Sequence, residues 1–188
     1  MPMPVKITPL EIPEVLVVET GLIRDDRGFF AELYSAKVLE SHGFRSAFLQ
    51  DNLSCSKKGT LRGLHYQLVN PQGKLVSVSE GAVFDVAVDI RRGSPTFGRW
   101  VGVELSAENK RQLYIPVGFA HGFCVLSERA GMVYKCTDFY NPHGERGIIW
   151  NDPTIGIAWP VASPLLSPKA MAYRRLDEMT EELFDYRG

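Results

Sequence analysis

The stretch IPVGFAHGF, Ile115–Phe123, combines a tight turn with the beginning of a strand. Pro116 and Gly118 predict the turn, because proline presets φ and glycine tolerates positive φ. The residues after the glycine are mostly apolar or aromatic, which is typical of a strand. The stretch therefore predicts a strand that carries His121 close to its start.

Short segments of the same kind recur along the chain. They are rich in β-branched or aromatic residues and are bounded by Gly, Asp or Asn. About eleven of them at near-regular spacing predict an all-β sandwich or barrel. The predicted strands are Val15–Val18, Phe29–Tyr34, Ala47–Leu53, Leu61–Leu68, Leu75–Val78, Ala82–Ile90, Arg99–Leu105, Arg111–Ile115, Gly122–Leu126, Met132–Tyr140 and Gly147–Trp150.

Two further stretches predict short helices. Ala36–His42 lies between strands, and Leu176–Phe184 (LDEMTEELF) has apolar residues at helical spacing. No linker, low-complexity segment or internal repeat interrupts the pattern. We therefore expect a single domain over residues 1–188, all-β with one or two short helices, including a C-terminal one.

The composition is that of an ordinary globular protein. Of 188 residues, 45% are hydrophobic and 23% are charged, which excludes a disordered chain. A formal net charge of -1 gives no bulk attraction to nucleic acid or to an anionic membrane, so neither is an expected partner. An anionic ligand would have to be bound by a few placed cations.

The cysteines and the N-terminal stretch predict a cytoplasmic protein. Cys55, Cys124 and Cys136 are not at spacings typical of zinc or redox sites. The stretch MPMPVKITPLEIP is broken by prolines and lacks the apolar run of a signal peptide. Apolar runs also stay far below the roughly 20 residues that a membrane-spanning helix needs.

The predicted strand LRGLHYQ, Leu61–Gln67, carries an arginine and a histidine around a glycine. In a regular strand Arg62 and His65 would face opposite sides. Gly63 predicts a bulge, which would bring both side chains to one face. A surface arginine and a buried core histidine are the alternative, and this stretch alone leaves the choice open.

Two aspartates lie on one face of the strand AVFDVAVDI, Ala82–Ile90, among apolar neighbours. A buried carboxylate costs several kcal/mol unless it is paired. We expect Asp85 to orient a histidine, with His65, His121 or an arginine as its possible partner. For Asp89, which precedes two arginines, we expect a structural salt bridge.

The strand that contains VYKCTDFY, Val133–Tyr140, places Tyr134 and Tyr140 on one face by alternation. Tyrosines on such a face are often core residues. However, His65, Lys74 and Tyr134 together supply a base, a cation and a phenolic acid, which suits proton abstraction next to a carbonyl. The chain has no GxGxxG or Walker sequence, which argues against hydride and phosphoryl transfer. A base and an acid on opposite faces of one carbon invert it, so epimerisation is expected.

The motif PxGxxH, which ends at His121, resembles the second motif of cupin barrels. Metal-binding cupins supply HxH and a glutamate from their first motif, whereas His65 is followed two positions later by Gln67. At most two imidazoles remain, and a catalytic metal usually needs three protein ligands. We expect a cupin without metal or other cofactor; a metal-dependent oxygenase or isomerase cupin is the alternative.

Further motifs follow one another along the chain: DDRGFF (Asp25–Phe30), QDNLSCSKKGTLRGLHYQ (Gln50–Gln67), GKLV (Gly73–Val76), GAVFDVAVDIRRGSPTFG (Gly81–Gly98), WNDP (Trp150–Pro153) and LLSPK (Leu165–Lys169). Together they resemble the dTDP-4-dehydrorhamnose 3,5-epimerase family. The resemblance implies a cupin-type β-barrel or jelly roll and an isomerase of dTDP-L-rhamnose biosynthesis. It implies that dTDP-4-dehydro-6-deoxy-D-glucose is epimerised at C3 and C5, and that the protein is a homodimer whose N-terminal strand is exchanged.

The resemblance also implies roles for individual residues. His65 is the base, Tyr134 the acid, and Lys74 the cation at the 4-keto oxygen, with Asp85 added as an orienting residue. Residues implied to bind substrate are Arg27, Glu32, Gln50 and Asn52 at the nucleotide, Arg62 and Lys74 at the keto oxygen and the diphosphate, Tyr140 stacked on thymine, and His121, Glu145 and Lys169 elsewhere on the ligand.

One position departs from the family pattern LSxKD, in which the aspartate pairs with the catalytic histidine. Here Ala170 follows Lys169, so that carboxylate is missing. We expect Asp85 to supply a substitute hydrogen bond to His65. A single-centre epimerase of a dTDP-4-keto-deoxysugar, or a catalytically reduced dTDP-sugar-binding cupin, is the alternative.

Overall fold

The computed structural model describes residues 4–44, 47–179 and 181–187. The strands are β1 (Val5–Pro9), β2 (Leu16–Thr20), β3 (Ile23–Asp25), β4 (Gly28–Phe30), β5 (Gln50–Lys57), β6 (Leu61–Gln67), β7 (Lys74–Glu80), β8 (Ala82–Asp89), β9 (Arg91–Arg92), β10 (Trp100–Ser106), β11 (Arg111–Ile115), β12 (Phe119–Val125), β13 (Arg129–Cys136), β14 (Glu145–Gly147) and β15 (Phe184–Asp185). Helix α1 spans Ala36–Ser41, α2 spans Pro168–Met171, and a 3₁₀ turn spans Leu176–Glu178. The prediction of an all-β, cupin-type protein is confirmed.

Two sheets form the body of the protein. One has six strands in the order β1-β2-β11-β7-β13-β5, and the other has five in the order β10-β8-β12-β6-β14. Their facing sides bury an apolar core that includes Val76 and Met132 from the six-stranded sheet and Val83 and Phe123 from the five-stranded one. The strands alternate inward and outward side chains, so each strand also presents residues to the outside.

The outer faces of both sheets are covered by other parts of the chain. Leu64, Val86 and Ile148 on the five-stranded sheet pack against the C-terminal residues Leu176 and Leu183. On the six-stranded sheet, a third apolar cluster includes Val18, Leu75 and, from α1, Leu39. These segments cover part of the outer face of each sheet.

The helix predicted over Leu176–Phe184 is wrong. Only Leu176–Glu178 forms a 3₁₀ turn, and Phe184 pairs with Arg91 in a parallel two-stranded sheet. The backbone of this stretch makes tertiary hydrogen bonds instead: the Leu176 N–H donates to Asp152 at 2.7 Å, and the Tyr66 hydroxyl donates to the Glu182 carbonyl at 2.8 Å. A helix this short is marginal on its own, so these contacts decide its conformation.

The other differences concern the ends of elements and four short strands, β1, β3, β9 and β15, which were not predicted. The predicted strand Met132–Tyr140 stops at Cys136, so Tyr140 lies on the loop that follows rather than on the strand. The predicted helix Ala36–His42 is confirmed as α1. The described helices are all too short or too polar to cross a membrane.

Candidate active site

A cavity of about 320 Å³ opens between the two sheets, and both sheets contribute to its lining. The five-stranded sheet supplies His65, Tyr66, Gln67, Phe119, His121 and Glu145; the six-stranded sheet supplies Gln50, Asn52, Lys74, Ile115 and Tyr134; loops add Gln72 and Tyr140. Eight residues singled out in the sequence therefore meet in one place: Gln50, Asn52, His65, Lys74, His121, Tyr134, Tyr140 and Glu145.

The bulge predicted at Gly63 is present. His65 pairs with His121 and Arg62 pairs with Phe123, so between these pairs two residues of β6, Gly63 and Leu64, oppose one residue of β12. Because His121 and Phe123 share a face, the bulge brings Arg62 and His65 to that face as well. Gly63 has φ +130, and a Cβ there would lie 2.5 Å from the Gly122 Cα, so the position requires glycine.

Asp85 is fully buried and bonds to His121. The His121 Nε2 lies 3.0 Å from both carboxylate oxygens of Asp85. The expectation that Asp85 orients a histidine is met at His121. The expected substitute bond to His65 is wrong, because within the described ranges neither ring nitrogen of His65 has a hydrogen-bond partner and the carboxylate faces the other imidazole.

His65 is held in its neutral form. Burial, followed by the positive charge of Lys74, lowers the pKa of His65 from 6.5 to about 4, against the opposing effect of Glu145. A neutral imidazole at neutral pH can accept a proton, as a general base must.

Lys74 and Tyr134 form the opposite wall. Lys74 pairs with Cys136 and Tyr134 with Val76 across β7 and β13, which places both side chains on the inward face. Burial lowers the pKa of Lys74, and the Cys136 thiol and the Asp85 carboxylate act against that shift. Burial raises the pKa of Tyr134, which keeps its phenol protonated. This wall can stabilise an oxyanion and donate a proton.

A hydrogen-bonded group lies at the mouth of the cavity. The Tyr140 hydroxyl donates to Glu145 at 2.8 Å, and Lys169 donates to the same carboxylate oxygen at 2.5 Å. The Tyr140 N–H donates to Gln50, whose amide donates to Asn52, both at 2.9 Å. Burial would raise the pKa of Glu145, but the bonds from Lys169 and Tyr140 outweigh it and lower the value. Tyr140 is 55% exposed, so a ring face is open to a ligand.

Some predicted site residues lie away from the cavity lining. Arg27 is exposed on the β3–β4 hairpin and pairs with Asp25 at 2.5 Å, and Glu32 lies on the segment after that hairpin. Arg62 donates to Ser56 at 3.1 Å beside the cavity. Asp89 is confirmed as structural, since it accepts hydrogen bonds from Arg91, Ser94 and Thr96.

The sequence reasoning missed five lining residues: Tyr66, Gln67, Gln72, Ile115 and Phe119. Gln67 positions the loop that carries Tyr140, because its amide donates to the Phe139 carbonyl at 2.9 Å and accepts from the Asn141 N–H at 2.8 Å. A glutamine that points inward next to His65 was the available signal. Among the described residues, no three His, Cys, Asp or Glu side chains gather in a way that could hold a metal ion.

The chain is similar to a defined set of known proteins. A family described as dTDP-4-dehydrorhamnose 3,5-epimerase matches residues 9–178. A protein of that name from Shigella flexneri is 62% identical over 161 residues, which are 85% of this chain and 89% of the relative. The crystal structure of a dTDP-6-deoxy-D-glucose-3,5-epimerase from Legionella pneumophila, in complex with dTDP-4-keto-L-rhamnose, has a TM-score of 0.96 and 52% identity, covering 98% of this chain and 100% of that one. A 3'-monoepimerase from Streptomyces bikiniensis, in complex with dTDP-quinovose, has a TM-score of 0.88 and 34% identity, covering 95% and 92%.

Proposed function

The chain belongs to the dTDP-4-dehydrorhamnose 3,5-epimerase family, and from that premise we propose how its two cavity walls divide the reaction between them. The reaction inverts C3 and C5 of dTDP-4-dehydro-6-deoxy-D-glucose and gives dTDP-4-dehydro-L-rhamnose, a step of dTDP-L-rhamnose biosynthesis. Both carbons flank the keto group at C4, so one set of residues around that group can act on each in turn.

His65 removes the proton. The C–H bond breaks, its electron pair moves into the ring to form an enolate, and the proton passes to the neutral imidazole. Negative charge develops on the oxygen at C4, where Lys74 stabilises it; such a placed charge contributes several kcal/mol to lowering the barrier. Collapse of the enolate forms a new C–H bond with a proton from Tyr134, and proton exchange with solvent restores both side chains.

The observation that carries this proposal is the placement of His65 and Tyr134 on different sheets. His65 belongs to β6 of the five-stranded sheet, Tyr134 belongs to β13 of the six-stranded sheet, and both line one cavity. A sugar ring between the sheets meets the base on one face and the phenol on the other. Abstraction and return on opposite faces invert a carbon, whereas return on the same face would restore it.

The mouth of the cavity suits the nucleotide. We assign the open face of Tyr140 to the thymine ring, and Gln50 and Asn52 to polar contacts with the nucleotide. Arg62, Lys169 and His121 add positive charge or hydrogen-bond donors for the diphosphate and the sugar. These groups provide the few placed cations that a chain with a net charge of -1 needs for a dianionic ligand.

We propose further that residues 1–188 form one domain that works as a cytoplasmic homodimer. The hairpin that carries Arg27 exposes Ile23, Phe29 and Phe30, each at least half exposed, and β1 is an edge strand of its sheet. Exposed apolar side chains and an unpaired sheet edge are each typical of an interface. A second copy that covers them could bring its Arg27 and Glu32 to the first copy's nucleotide. Three cysteines without a disulfide suit a reducing compartment.

Deuterium labelling tests whether His65 on one wall acts as the base and Tyr134 on the other as the acid. We expect the enzyme in deuterated water to exchange the C3 and C5 hydrogens of dTDP-4-keto-6-deoxyglucose with inversion, as read by proton NMR. Tyr134→Phe should retain part of the exchange but lose most of the inversion. Equal loss of exchange and inversion would assign Tyr134 to a different step.

Mixing two variants tests the dimer. Arg27→Ala and His65→Asn should each be impaired alone. If Arg27 acts in the partner's cavity, mixed dimers regain activity, because one site then has both side chains. A monomer by light scattering would contradict the dimer, and no recovery on mixing would contradict the placement of Arg27 in the partner's cavity.

A further inference from the structure

A tyrosine outside the cavity lining lies next to His65. Gly147 is the register partner of His65 on β14, and the adjacent Ile148 forms a parallel bridge with Arg174. Tyr173 therefore lies beside Gly147 on the face that His65 shares. The two rings meet edge to face, with centroids 5.7 Å apart and planes at 82°.

Gly147 makes this contact possible. A Cβ at that position would overlap the Tyr173 ring at Cε2 and Cζ. Because Gly147 has no side chain, the Tyr173 ring can lie across β14 and contact the His65 imidazole on the neighbouring strand β6. Three non-local pieces of chain, β6, β14 and the segment after α2, thus combine around one histidine.

The hydroxyl of Tyr173 has an unusual environment. It is buried and, among the described residues, has no hydrogen-bond partner; Thr20 Oγ1 is the other side-chain atom in that state. Buried polar groups are nearly always hydrogen-bonded, so a native exception calls for an explanation. A group that acquires a partner during turnover would be such an explanation.

His65 has the complementary property. Within the same ranges its ring nitrogens form no hydrogen bond, so packing against the Tyr173 ring helps to fix its orientation. When the imidazole takes a proton, both nitrogens become donors and an acceptor nearby stabilises the charged form. A phenol oxygen can accept such a bond.

We propose that Tyr173 is a positioning residue for His65: its ring holds the imidazole in place across Gly147, and its hydroxyl accepts a hydrogen bond from the imidazolium. The inference rests on the proposed role of His65 as the base. In this role a neutral phenol takes the place of the carboxylate that the resemblance leads us to expect at Ala170.

Tyr173→Phe removes the hydroxyl and retains the ring. We expect kcat to fall about tenfold with KM nearly unchanged, which corresponds to one lost hydrogen bond to a charged group. Nitrogen-15 NMR of the His65 ring at pH 4 provides a readout that is independent of turnover. The imidazolium fraction should fall from about one half to roughly one tenth, the change that a pKa lower by one unit produces.

Tyr186→Phe is the matched control, since it removes a phenol hydroxyl on the C-terminal tail, where the ring packs over Arg91. Gly147→Ala is the second variant, which should displace the Tyr173 ring and lower kcat at least as much. Thermal unfolding of each variant identifies those that fail to fold.

The proposal is overturned if Tyr173→Phe matches Tyr186→Phe in kcat and in the imidazolium fraction. Failure of the underlying role would look different: His65→Asn would retain deuterium exchange while the NMR effect of Tyr173→Phe persisted.

Discussion

The mouth of the cavity and its two inner walls differ in how their polar side chains are hydrogen-bonded. At the mouth, Tyr140, Glu145 and Lys169 are already bonded to one another. Deeper in, His65, Lys74 and Tyr134 form no side-chain hydrogen bond within the part of the chain that the structure describes. In the proposed function, the groups that bind the ligand are therefore fixed by the protein, and the groups that react keep their donors and acceptors free for the substrate.

The sharpest form of this contrast lies between His65 and His121, which are register partners on neighbouring strands. His121 is bonded to buried Asp85, whereas His65 packs edge to face against the ring of Tyr173 and has no hydrogen-bond partner among the described residues. If the contrast reports function, the unbonded imidazole does the chemistry and the bonded one positions the ligand.

Exchanging each histidine for asparagine should give the largest difference. We expect His65→Asn to lower the rate of C3 and C5 deuterium exchange by about 10²–10⁴, the usual contribution of a general base. His121→Asn should raise KM and leave most of the exchange rate at saturation. Comparable losses of exchange in the two variants would remove the distinction between them.

Sequence patterns predicted which side chains of each strand point into the cavity, but not which side chains of different strands contact one another there. The bulge at Gly63 and the turn before His121 are local features, and both could be predicted. The partner of Asp85 could not, since three candidates were compatible with its strand and only the β8–β12 pairing selects His121.

Two other failures have the same non-local origin. The helical spacing of Leu176–Phe184 is real, but backbone bonds to Asp152 and from Tyr66 override it. The role of Tyr173 could not be predicted, because its contact with His65 depends on two separate backbone pairings, β14 with β6 and Ile148 with Arg174, and on the glycine at position 147. Local secondary-structure propensity carries no information about such long-range contacts.

The pH dependence of kcat/KM is the next largest effect. The pKa of His65 lies at about 4 because burial and Lys74 disfavour the imidazolium. The base is therefore active above that pH and is lost as pH falls through it, about tenfold per unit. We expect the acidic limb near pH 4. A limb near the ordinary histidine value of about 6.5 would show that His65 is solvated or is not the base.

Replacing Asp85 with asparagine tests the hydrogen bond that holds His121. Asp85→Asn retains an acceptor oxygen for His121 but leaves a buried amide group without a matching partner. We expect the free energy of unfolding to fall by roughly 1–3 kcal/mol, as for a disrupted buried hydrogen bond. Urea unfolding measures it, with Asp25→Asn on the exposed hairpin as control. An unchanged midpoint would show that the bond does not stabilise the fold.

At the mouth, Tyr140 should affect binding and not chemistry. Tyr140→Ala should weaken dTDP binding by about 1–3 kcal/mol if the base stacks fully on the ring. Tyr140→Phe retains the ring and removes only the bond to Glu145, so it should lose much less. Calorimetry with dTDP alone measures the dissociation constant of each variant. Equal affinity of the alanine variant and the parent would refute stacking.

The smallest expected effect comes from giving His65 a charged hydrogen-bond partner. Ala170 is buried on α2, which packs against β6, and it lies where the resemblance drawn from the sequence leads us to expect an aspartate. A carboxylate next to His65 favours the imidazolium, so Ala170→Asp should raise the pKa of His65 above 4 and move the acidic limb to higher pH. We expect exchange to be faster by about tenfold, in line with general-base effects, and more so at C5 than at C3. Ala170→Asn, which adds the same bulk without charge, is the control. If Ala170→Asp moves neither the limb nor either exchange rate, His65 is already fully oriented, and its lack of a hydrogen-bonded carboxylate such as the one beside His121 has no kinetic consequence.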